Sequence, residues 1–166
     1  MKKIFIFGMF ALVTMQAWCQ NKVENHEIEL VAKDDWKGSY TVLDFPTGKH
    51  KSIPVELKAE RTGDRSVEMK FIYPFETKNS KSTDKLKFGK DLTSIEGKPI
   101  ILKDLTDDGQ IRFVTMDKEK YNGQKADVYY SYIVGPNKFE IKKEIQFEGS
   151  QKLILAEGYE FIRNQY

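Results

Sequence analysis

From about residue 35 onward, apolar and polar positions alternate with a period of two, not 3.6. Such alternation sends successive side chains to opposite faces of a strand. Nine segments carry the pattern: 37–45, 53–61, 65–75, 85–88, 98–103, 110–117, 126–134, 138–148 and 152–163. Turn-forming residues separate many of them, at Pro46-Thr47-Gly48, Thr62-Gly63-Asp64, Asp107-Asp108-Gly109, Asn122-Gly123, Gly135-Pro136-Asn137 and Gly149-Ser150. Many short strands at this spacing, with no long helical stripe between them, predict an all-β fold. The expected form is a single-domain antiparallel up-and-down barrel of about eight or nine strands over residues 36–166. Residues 20–35 stand apart as an N-terminal segment; Val23, Glu24, Leu30 and Val31 suit a short helix, while Ile28, Leu30 and Ala32 suit a strand. Residues 76–84 are polar enough for a mobile loop.

Register follows from the same pattern, because a slip of one residue turns every side chain to the wrong face. Phe139, Ile141, Ile145 and Phe147 share one face of their segment; Glu140, Lys142, Glu144, Gln146 and Glu148 share the other, expected to be wet. Across the loop at 149–151, apolar matching pairs Phe147 with Leu153, Ile145 with Leu155, Ile141 with Tyr159 and Phe139 with Phe161. Across the loop at 135–138 it pairs Val134 with Phe139 and Tyr132 with Ile141. Both registers converge on one row. Tyr130 stands beside Lys143, and Lys143 beside Glu157, on the otherwise apolar face.

A lysine turned inward needs a partner, since burying a lone ammonium costs several kcal/mol. Glu157 is its expected counter-ion, and the Tyr130 hydroxyl can donate or accept. Two readings of the row stay open. It is a polar anchor in a ligand cavity lined by Met69, Phe71, Tyr130, Tyr132, Ile141, Lys143, Phe147 and Glu157, because such pockets hold few polar groups among many apolar ones. Otherwise it is a partly wet pair near the rim that only fixes register.

The first nineteen residues change the compartment. Lys2 and Lys3 precede the apolar run at 4–13, and Ala17-Trp18-Cys19 offers a small-x-small cleavage site, the layout of a secretory signal peptide at 1–19. The run is too short to span a bilayer, which takes about 20 residues. The chain is therefore expected in a periplasm, cell envelope or extracellular space. Lipidation of Cys19 would add a membrane tether, but Trp18 is bulkier than the small residues such signals carry.

Cleavage also alters the charge. The whole chain holds 27 basic and 25 acidic residues, and loss of Lys2 and Lys3 leaves the remainder neutral. A neutral protein lacks the field that draws nucleic acid, so no nucleic-acid partner is expected. The single cysteine lies in the leader, so no disulfide, thiolate nucleophile or cysteine metal ligand follows it.

Trp36 and Gly38 open the first predicted strand, and Arg163 closes the last. In these residues, and in strand number and spacing over 36–163, the chain resembles the lipocalin-like (calycin) superfamily. The resemblance implies that Trp36 packs under the barrel floor and that Arg163 lies across its face. The usual Gly-x-Trp order is absent: Asp34 stands where its glycine would be, and the glycine follows as Gly38.

Catalytic signatures are missing. His26 and His50 have no neighbours at metal-ligand spacing. There is no phosphate-binding loop or nucleophile elbow. The 104–109 stretch lacks the spacing of a calcium loop. No catalytic residue, metal or cofactor is expected. The favoured function is carriage of a small apolar or amphipathic ligand within the barrel. The alternatives are a non-enzymatic structural or protein-interaction barrel of the envelope and, less favoured, an outer-membrane barrel. In that last form Lys143 and Glu157 would face lipid, where a midplane lysine costs about 2–4 kcal/mol.

Overall fold

The computed structural model describes residues 21–33, 35–75, 80–121 and 123–163. The expected leader at 1–19 lies outside the described residues, as do Asp34 and Asn122. One short helix, α1 (Asn25–Val31), precedes ten strands. These are β1 (Trp36–Asp44), β2 (Lys49–Gly63), β3 (Ser66–Ile72), β4 (Lys81–Lys87), β5 (Ser94–Ile95), β6 (Lys98–Leu105), β7 (Ile111–Tyr121), β8 (Gln124–Val134), β9 (Lys138–Phe147) and β10 (Ile154–Ile162). All neighbours pair antiparallel, in the order β4-β3-β2-β1-β10-β9-β8-β7-β6-β5.

The sheet curls until its two edges nearly meet. One bridge, Phe88 to Ile95, joins them; Gly89 N–H donates to Ser94 O at 2.9 Å and Glu96 N–H to Lys87 O at 2.8 Å. The result is the expected all-β up-and-down barrel, nearly closed and compatible with a lipocalin-like fold. It has ten strands rather than eight or nine because the two-residue β5 is too short to show a period.

One strand start and one register differ most from expectation. Lys81–Asp84, expected in a loop, belongs to β4, which pairs with β3 from Ile72–Lys81 through Ser66–Lys87. Its polar composition suits an edge with only one strand partner. The expected pairs Ile145–Leu155 and Phe147–Leu153 do not form. A bulge between Leu155 and Glu157 inserts a residue, so Ile145 faces Ile154, Leu155 faces Glu144, and Leu153 is exposed. Beyond the bulge the expected register holds: Lys143–Glu157, Ile141–Tyr159 and Phe139–Phe161 on one side, Val134–Phe139, Tyr132–Ile141 and Tyr130–Lys143 on the other.

The ambiguous N-terminal segment is a helix over Asn25–Val31. Its start is fixed by the Glu27 carboxylate, which accepts the Glu24 N–H at 2.6 Å. Ile28 and Val31, one turn apart, pack with Trp36, Phe88, Ile95 and Phe139 to plug one end of the barrel. The plug is tied by Lys103 Nζ to Glu27 at 2.8 Å, and by the Trp36 indole N–H to Val31 O at 3.3 Å. A space of about 10 Å³ remains between α1 and the floor.

Gly38 faces Phe161 where β1 and β10 approach closely. A Cβ there would sit 1.8 Å from the Glu160 carbonyl oxygen, so only glycine fits. Outside the barrel, one polar expectation fails. Glu140 lies on the outward face yet is only 2% exposed, covered by Lys138 Nζ at 2.8 Å and Lys142 Nζ at 2.6 Å. Burial alone would raise its carboxyl, but the two ammonium groups outweigh it and hold the pKa below the ordinary value.

Candidate functional site

Inward-facing side chains change character along the barrel axis. At the plugged end Trp36, Phe113, Phe139 and Phe161 are buried in one apolar cluster. Arg163 Cζ lies 5.6 Å from the centre of the Trp36 ring, and its guanidinium donates to Pro136 O at 3.2 Å. From Trp36 a column of rings climbs the interior: Phe139 at 6.1 Å, then Phe161, Tyr159 and Tyr40, the last two stacked at 4.6 Å. At the opposite end Ala126, Val128, Ile145 and Ala156 make a second cluster, partly roofed by Phe45 against Tyr121 at 5.1 Å.

Between the two clusters runs a polar belt. The paired row Thr115–Tyr130–Lys143–Glu157 crosses β7, β8, β9 and β10. Glu119 joins from the next inward position but one on β7. Tyr40 O–H donates to Glu157 at 2.9 Å, and Tyr130 O–H donates to Glu119 at 3.3 Å. Lys143 stands between the acids, 3.9 Å from Glu157 and 4.0 Å from Glu119, beyond hydrogen-bond length to either. Its ammonium also lies 5.5 Å from the Tyr121 ring and 5.6 Å from the Tyr130 ring. Lys98 covers Tyr130 at 5.0 Å and faces Asp117 at 3.8 Å.

The belt is neither dry nor fully wet. The side chains of Lys143, Glu119 and Glu157 are 17%, 33% and 42% exposed, against 0% for Phe139 and Phe161 below them. Solvent therefore reaches the belt from the end opposite α1. A groove of about 670 Å³ lies on the rim there, where Glu119 and Phe147 meet the outward Lys118, Lys120 and Asp127; Tyr130, Lys143 and Glu157 do not line it. Burial, reinforced by Glu157 at Tyr40 and by Glu119 at Tyr130, holds both phenols well above their ordinary pKa. The Thr115 hydroxyl is fully buried and has no hydrogen-bond partner among the described residues.

The eight residues expected to line one cavity fall into three places. Met69, Phe71, Tyr132 and Ile141 belong to the lower cluster, and Phe147 packs on the upper one. Tyr130, Lys143 and Glu157 form the belt between them, with Tyr130 touching both clusters. Tyr40, Thr115 and Glu119 also belong to it and were not anticipated. The signal for Glu119 was present: alternation on β7 continues through Asp117 and Glu119 to Tyr121, past the expected strand end at 117. Among the described residues, no group of three or more histidine, cysteine, aspartate or glutamate side chains could hold a metal ion, and no helix is long and apolar enough to cross a membrane. The chain matches no model of a known protein family and has no significant match among curated proteins.

Proposed function

We propose that this protein is an exported, lipocalin-like carrier of a small amphipathic molecule, with no catalytic role. The observation that carries the reading is the solvent-reached belt of Tyr130, Lys143 and Glu157 between two apolar clusters. A ligand entering opposite α1 lays its apolar body on the Tyr40–Tyr159 stack and its polar head in the belt. The Trp36–Arg163 contact at the plugged end accords with the calycin resemblance. Export is inferred from the leader pattern at 1–19 alone.

An outer-membrane barrel is disfavoured, though not by Lys143 and Glu157, which face inward. The outward positions carry the charges instead. Lys58 faces Lys70 and Glu60 faces Glu68, where a lipid-facing barrel needs an apolar band. A protein-interaction barrel draws support from the exposed Ile101, Leu102 and Leu105 on β6.

Mass spectrometry of the protein recovered from its own cells, under native conditions, separates the readings. The carrier reading expects a consistent bound small molecule that is lost on denaturation. Ligand-free protein that co-purifies with a protein partner would overturn it in favour of the interaction barrel.

A further inference from the structure

Lys143 is the obvious anchor for an anionic head, such as a fatty carboxylate, but the groups around it argue otherwise. Glu119 and Glu157 stand on either side of it at 4.0 and 3.9 Å, so an arriving anion meets two carboxylates for one ammonium. Lys98 is likewise matched by Asp117 at 3.8 Å. The belt therefore carries one more negative than positive charge. Its tyrosines present electron-rich faces, which Lys98 and Lys143 already exploit at 5.0 to 5.6 Å.

Resting on the carrier reading above, we propose that the ligand's head is a cationic amine, held by Glu119 and Glu157 against the Tyr130 and Tyr121 faces. Its ammonium displaces that of Lys143 from between the acids. An aryl or alkyl body then lies against Tyr40 and Tyr159.

Three compounds with one body and different heads test this: phenylbutylamine, phenylbutanol and phenylbutyrate, titrated calorimetrically into the purified full chain at neutral pH and low salt. The amine is expected to bind at least about tenfold more tightly than the acid, with the alcohol between them. Glu119→Gln and Glu157→Gln are each expected to weaken the amine about two- to fivefold and to strengthen the acid. Glu144→Gln, outward on β9, is expected to change neither. An acid or alcohol that binds as tightly as the amine overturns the assignment and leaves the carrier reading standing. So does amine binding that survives both inward substitutions unchanged. If none of the three binds, the assignment and the carrier reading fall together. The three-compound comparison on the unaltered protein decides the matter even if a variant does not fold.

Discussion

Lys143 and Glu157 face each other across β9 and β10, yet the ammonium and carboxylate stand 3.9 Å apart and do not hydrogen-bond. A closed charge-assisted bond is nearer 2.7–2.9 Å. The lysine is held instead between two acids and two tyrosine rings, as a cation that an incoming one can displace. Lys143→Met removes that competitor. Calorimetry is expected to show phenylbutylamine binding about two- to fivefold more tightly to the variant, with phenylbutanol little changed. Weaker amine binding would mean that the lysine supports the head rather than competing with it.

At the other end, Arg163 lies over Trp36 and ties the last strand to the floor. An Arg–indole contact at a partly exposed site contributes about 0.5–1 kcal/mol. Urea unfolding of Arg163→Ala should show a loss of about that size, whereas Trp36→Ala, which empties the space of a fully buried ring, should lose about 3–5 kcal/mol. A null effect of Arg163→Ala would reduce the contact to a surface coincidence.

Gly38 fixes the seam between β1 and β10. Because a Cβ there would meet backbone rather than a flexible side chain, the strands must part to admit it. Gly38→Ala is expected to destabilise by about 1–3 kcal/mol or more in chemical denaturation. Amide exchange should rise first in β1 and β10.

Glu140 supplies a pH signature. Its folded pKa lies below the ordinary value of 4.5, so it contributes stability that is present above that pH and is lost as pH falls through the folded value. Thermal melts of the native protein and Glu140→Gln should therefore differ most near neutrality and converge below pH 4.5. A gap that stays constant across the acid range would show that Lys138 and Lys142 do not act on its ionisation.

Much of this architecture is written in the alternation. The Tyr130–Lys143–Glu157 row, the barrel class and the nine strands other than the two-residue β5 follow from period two alone, because inward burial fixes register. What failed has local causes. The bulge at Leu155–Glu157 adds one residue that no hydrophobic pattern announces, and it is what returns Glu157 to the interior after the loop. Glu140 reads as a surface charge because the lysines that cover it, Lys138 and Lys142, lie two residues either side and also read as surface. Tyr40 reaches Glu157 from a strand 117 positions away in sequence, a contact that exists only once β1 pairs with β10. Thr115 looked like an ordinary strand residue; only its depth beside Tyr130 makes its unpaired hydroxyl notable.

The belt as a ligand site is tested most directly by intermolecular nuclear Overhauser effects between side-chain-labelled protein and phenylbutylamine. Successive residues point to opposite sides of the wall, so the outcome is sharp. Contacts to Tyr130 and Lys143 are predicted, with none to their outward neighbours Ser131 and Lys142, which pair in the adjacent row. Contacts confined to that outward row would place the ligand on the barrel's exterior and contradict the account.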